Sequence, residues 1–108
     1  MNLAKVQRLS TQWNKKHFGD HYGTGYRNLL GIAEELGELC HAHLKGEQKI
    51  TYTPEEIKAM KIDAVGDIVI FLANYCSSQG MDLGSCVKVA WDSIKDRKYT
   101  KGTDNENQ

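Results

Sequence analysis

A chain of 108 residues has room for one modest core and is too short for two. Its fourteen basic residues offset fourteen acidic ones, which points away from nucleic acid, an anionic membrane or a strongly charged protein as the main partner. Cys40, Cys76 and Cys86 are odd in number and form no C-x-x-C pair, so neither a disulfide framework nor a zinc site is indicated and buried reduced thiols are expected.

No signal-peptide apolar core opens the chain, and no apolar run approaches the roughly 18 residues of a membrane span. A soluble, cytoplasmic protein is expected. With one proline, and glycines gathered in a few places, long segments remain for helices, and the predicted class is all-α. A first helix is predicted over about residues 2–16, where Leu3, Val6, Leu9 and Trp13 recur at helical intervals. Residues 17–25 read as a loop: Gly19, Gly23 and Gly25 alternate with Asp20, His21 and Tyr22, and the loop could reach over a ligand. A second helix over about 26–45 carries an apolar stripe of Leu29, Ile32, Leu36 and Leu39, with Glu34, Glu35 and Glu38 to one side and Gly46 as its stop.

Thr53-Pro54-Glu55-Glu56 spells a helix start, with a threonine N-cap, proline at the first helical position and glutamate three residues after the cap. That third helix runs to about residue 78, with Ile62, Val65, Val69 and Leu72 as core and Asp63, Asp67 and Asn74 on a neighbouring strip. Gly80 ends it, and Asp82 caps a fourth helix through Val87, Val89, Trp91 and Ile94 to about residue 98. Residues 1–100 form one domain, and the tail 101–108, without an apolar residue, is expected to be disordered. Four helices of these lengths predict a small bundle whose apolar third and fourth helices are completed by a second copy, as a homodimer or a pair of dimers.

Two acidic clusters carry the chemistry: Glu34-Glu35-Leu36-Gly37-Glu38 and Asp63-Ala64-Val65-Gly66-Asp67. On a helix, residues three or four apart share a face, so Glu35 with Glu38, Glu34 with Glu38, and Asp63 with Asp67 project together. Like charges so placed repel, and beside apolar neighbours they are poorly solvated; a cation resolves both problems. All-oxygen donors favour Mg²⁺, with Mn²⁺ as a substitute. The plain alternative is a solvated acidic face, but Asp63 and Asp67 interrupt an apolar helix centre where aspartate is costly to bury. Gly37 and Gly66 each cost on the order of 1 kcal/mol relative to alanine, which either tight helix packing or approach of a ligand would offset. Glu38-Leu39-Cys40-His41 is an E-x-x-H, the motif that di-iron carboxylate bundles use twice; it occurs here once and leaves that function a remote alternative. His41 and His43 read as polar helix positions, and His17 and His21 have no recognised ligand spacing.

The two clusters resemble the pattern of MazG-type nucleotide pyrophosphohydrolases of the all-α NTP pyrophosphatase superfamily, E-E-x-x-E followed after a gap by E-x-x-D. Glu34, Glu35 and Glu38 match the first half and Asp67 the final aspartate, and residues 39–62 form a gap of suitable length. The resemblance spans about residues 10–100, down to a basic ending, Ile94-Lys95-Asp96-Arg97-Lys98-Tyr99. Ala64 stands where the pattern has its third-from-last glutamate; Asp63 next to it is the candidate replacement, as in small phage-type relatives with D-x-x-x-D. This departure bears on how many ions bind.

The resemblance implies Mg²⁺-dependent hydrolysis of a (deoxy)nucleoside triphosphate to its monophosphate and pyrophosphate, as housecleaning of nucleotides. Glu35, Glu38, Asp63 and Asp67 are then the metal ligands, and Glu34 or Glu38 orients or deprotonates the attacking water. Lys88, Lys95, Arg97 and Lys98 are candidates for phosphate oxygens. Trp13, His17, Tyr22 and Asn74 are candidates for the base and sugar. Ala64 favours a second reading, a catalytically weak nucleotide-binding or regulatory module of the same fold. A third is a structural helical dimer with solvated acids.

Overall fold

The computed structural model describes residues 1–19 and 25–99; Tyr22, most of the predicted loop and the tail 101–108 lie outside them. Asn2 opens the first helix, α1 (Leu3–Phe18), by accepting the Lys5 amide at 2.9 Å. The helix outlasts its predicted end, and His17 is helical rather than part of a loop. The extension has a local cause. His17 stacks on Trp13 with ring centroids 4.4 Å apart and donates through Nδ1 to the Trp13 carbonyl at 2.9 Å, while Phe18 meets the Trp13 ring edge-on. Gly19, at φ 79, then ends the helix in a conformation that favours glycine.

The second helix, α2 (Gly25–Gln48), continues through Gly46, so that glycine is not a stop. A Cβ on Gly46 would lie 3.1 Å from Ile57 Cγ2, so its role is a close approach to the next helix. Lys49 and Thr51 turn the chain instead, at φ 58 and 76. For a β-branched threonine this backbone is strained, at a cost of about 1–3 kcal/mol. The third helix, α3 (Pro54–Ser78), starts as its sequence predicts: Thr53 Oγ1 accepts the Glu56 amide at 3.1 Å and Glu56 Oε1 accepts the Thr53 amide at 2.8 Å. Asp82 caps the fourth helix, α4 (Leu83–Lys95), accepting from the Ser85 amide and hydroxyl, both at 2.9 Å. This helix ends earlier than predicted, leaving Arg97 and Lys98 beyond it. Nothing apolar after Ile94 packs, and Tyr99 is exposed.

The four helices, with no strand among the described residues, confirm the all-α class. No helix of the described chain is long and apolar enough to cross a membrane. α2 and α3 lie against each other along their length, α1 covers the C-terminal part of α3, and α4 meets α1 and α3 near its start. Ala73, Cys76 and Leu83 form the buried centre, with Leu3, Val6, Val69 and Leu72 packed around it. Gln7 ties α1 to the α3–α4 turn. Its amide donates to the Met81 carbonyl at 2.9 Å and to Ser77 Oγ at 3.1 Å, and its carbonyl accepts the Leu83 amide at 2.8 Å.

Of the third-helix residues predicted as core, Val69 and Leu72 pack at the centre while Ile62 and Val65 do not, and other residues at helical apolar spacing are also left uncovered within one chain. Leu9, Trp13, Leu29, Leu36, Ile62, Val65, Val87, Val89, Trp91 and Ile94 are all exposed, Val89 to 71% and Ile62 to 64%. The reason lies in the packing. Each helix spends one narrow strip on its neighbours, and α2 touches neither α1 nor α4. Only Cys76 among the three free thiols is buried, while Cys40 and Cys86 are exposed. Gly37 and Gly66 are not close-packing positions either, since a Cβ at either would meet nothing within 4 Å; Gly31 is such a position, against Phe71.

Candidate metal centre

Gly31 against Phe71 and Gly46 against Ile57 set the antiparallel register of α2 and α3. One turn from the first pair, Glu35 comes level with Asp67, and two turns from it Glu38 comes level with Ala64. Asp67 and Asp63 of the second cluster therefore come close enough to act on Glu35 of the first. One carboxylate oxygen from each of Glu34, Glu35 and Glu38 can lie within 4.8 Å of the other two.

Glu35 is the electrostatic centre of this group. It is half-buried between two exposed carboxylates, Glu34 and Glu38. Burial holds its carboxyl above the ordinary value of 4.5; the neighbouring charges of Glu38 and Asp67, a hydrogen bond with Asp67 and the charge of Asp63 all push the same way. Glu35 Oε1 is shielded from solvent and has no hydrogen-bond partner. An orphaned, buried oxygen among negative neighbours is a position that a hard cation satisfies, and every donor here is a carboxylate oxygen. The residues present thus fit Mg²⁺ or Mn²⁺.

Ala64 is buried at 2% exposure on the face turned to α2, so a methyl group stands level with Glu38. Asp63, one residue back and about 100° around the helix, is exposed and acts on Glu35 by charge, as the last of its perturbations. Asn74 lies two turns beyond Asp67 toward the C-terminal end of α3, level with the buried Asn28; it is 8% exposed, and its Oδ1 has no partner.

The other candidates are not gathered here. α4 does not touch α2, so Lys88 and Lys95 are not brought to the acids within one chain. Both are engaged by Asp92, at 2.7 and 3.1 Å, and these two lysines, Lys88 first, hold the Asp92 carboxyl below its usual range. That competitor was legible as Lys88 and Asp92 one turn apart. Arg97 and Lys98 lie past the helix and are exposed. Trp13 and His17 form an exposed stack on α1, which touches α3 and not α2. His41 faces Tyr52, with ring centroids 6.4 Å apart, and does not join the carboxylates, which disfavours a di-iron arrangement.

Comparison with protein-family models finds no match, and a search among curated proteins finds no relative.

Proposed function

We propose that the protein is a Mg²⁺-dependent nucleoside triphosphate pyrophosphohydrolase of the MazG type, cleaving a (d)NTP to the (d)NMP and pyrophosphate. The observation that carries this reading is the cluster of Glu34, Glu35 and Glu38 on α2, with Asp67 of α3 acting on Glu35 by charge and a buried Glu35 oxygen lacking a partner. Glu35, Glu38 and Asp67 would hold the ion, and Asp63 adds charge from the rim. When bound, the ion supplies charge neutralisation for a polyphosphate and polarises the phosphorus under attack. Exposed Glu34 is free to orient a water and accept its proton, a role it shares with Glu38. Asn74, with a buried and unpartnered oxygen, offers an acceptor to a sugar hydroxyl or base amine.

The same reading includes a homodimer or a dimer of dimers. The exposed apolar strips of α2, α3 and α4 amount to a core with one side missing, and a second copy is the simplest partner to cover them. A second copy could also present the basic end of α4 to the acids, which α4 of the same chain does not reach. Light scattering should return twice or four times the chain mass of 12.2 kDa.

The buried methyl of Ala64 favours one alternative, a nucleotide-binding module that retains part of the metal site and turns over slowly. Pyrophosphate release from a panel of canonical and modified NTPs and dNTPs, with Mg²⁺, Mn²⁺ or EDTA, separates the readings. Metal-dependent release that Glu38→Gln abolishes supports the enzyme. Silence across the panel, with Mg²⁺ still raising the unfolding midpoint, supports the module.

A further inference from the structure

Beside the turn that joins α2 to α3 lies a concavity of about 630 Å³, in the size range of small-molecule sites. Gly46 on its wall is two turns and more beyond Glu38, about 12 Å along α2 at the helical rise of 1.5 Å per residue. Its chemistry is the reverse of the acidic cluster. Lys49, Lys58 and Lys61 stand around it, and among the described residues none of the three is within ion-pair distance of a carboxylate. The lining contains one acid, Glu47, and that carboxylate lies 3.7 Å from His43 Nε2 on the same wall.

The rest of the lining is suited to a flat ring. Pro54, Ile57 and Tyr52 contribute apolar and aromatic surface to the lining, and the Tyr52 ring packs edge-on against His41 at an interplanar angle of 77°. The Gly46–Ile57 approach brings the two helices close at the base. Lys49 and Tyr52 both come from the tight turn between the helices, where Thr51 holds φ 76 and the Tyr52 amide donates to the Ile50 carbonyl at 2.8 Å. Lysines without an ion-pair partner beside apolar and aromatic side chains are complementary to a ligand with a phosphate at one end and a heterocyclic ring at the other.

We infer that this concavity is a metal-independent binding site for a small phosphorylated heterocycle of mononucleotide size, separate from the acidic cluster. It does not depend on the reading of that cluster. Its lysines bind the phosphate directly, whereas the carboxylates can accept a phosphate only through a cation. Occupancy therefore survives chelation.

Calorimetric titration of the intact protein in EDTA, using adenosine and cytidine 5′-monophosphate, the unphosphorylated nucleosides and inorganic phosphate, tests the assignment. Saturable binding of at least one monophosphate is expected, at least tenfold tighter than its nucleoside and than inorganic phosphate. Lys58→Glu with Lys61→Glu should weaken it more than tenfold, and Tyr52→Ala should remove the advantage over inorganic phosphate. Asp67→Asn should leave it unchanged, which keeps the result separate from the fate of the acidic cluster. If charge reversal perturbs folding, seen as lost helical dichroism, Lys58→Gln with Lys61→Gln replaces it. No binding of any monophosphate in EDTA, equal affinity for the nucleoside, or affinity untouched by the lysine changes overturns the inference.

Discussion

Glu35 of α2 and Asp67 of α3 face each other across the helix interface, where burial and the charges of Glu38 and Asp67 hold the Glu35 carboxyl above its ordinary range. That arrangement makes the acidic cluster sensitive to protons and to cations. The two should compete for it, because a metal needs the carboxylates deprotonated.

The first expectation concerns pH. Glu35 binds its proton more tightly in the folded chain than in the unfolded one, so this group's contribution to stability is full below the ordinary value of 4.5 and is lost as pH rises through the raised folded value. In EDTA, the unfolding midpoint should include a component that falls as pH climbs above 4.5. Glu35→Gln should flatten it. An identical pH profile for the variant and the natural chain would remove Glu35 as the titrating group.

Added Mg²⁺ should reverse that trend. At neutral pH the natural chain should gain about 2–3 kcal/mol at a Mg²⁺ concentration 100 times the dissociation constant. Asp67→Asn should lose most of the gain while being no less stable than the natural chain in EDTA, since it relieves repulsion. Differential scanning calorimetry at several Mg²⁺ concentrations reads both effects.

In turnover, Glu38→Gln and Asp67→Asn should each lower pyrophosphate release by about 100-fold or more, with helical dichroism unchanged. Glu34→Gln distinguishes a base from a ligand: it should depress the rate while leaving the Mg²⁺-induced stabilisation in place. Full activity in both Glu38→Gln and Asp67→Asn would eliminate the proposed site.

The glycines make opposite predictions although all lie inside helices. Gly31→Ala places a Cβ 2.5 Å from the Phe71 ring and should destabilise the fold or displace that ring. Gly37→Ala and Gly66→Ala meet nothing within 4 Å and should stabilise by about 0.5–1 kcal/mol each. Urea unfolding of the three variants checks the signs.

Gln7→Ala should cost about 1–3 kcal/mol, because the Leu83 amide and Met81 carbonyl both lose a partner at the α3–α4 turn. Urea midpoints compared with those of Gln7→Glu show how much of the loss comes from the amide donor.

What the sequence determined by itself was the helix caps and breaks satisfied within a few residues. The Thr53–Pro54–Glu56 start, the Asp82 cap and the break near Gly80 follow from hydrogen bonds and dihedral preferences that close on neighbouring residues. The grouping of acids within each cluster was legible for a related reason: helical periodicity places their members on one face. Only the tertiary structure decided which glycines mark close approach and which apolar residues are core. Gly46 looked like a stop and is a contact with Ile57; Ile62 and Val65 looked like core and are exposed. Periodicity specifies that a residue lies on an apolar face, but whether that face is covered depends on helix register and crossing, which contacts between residues far apart in the chain determine.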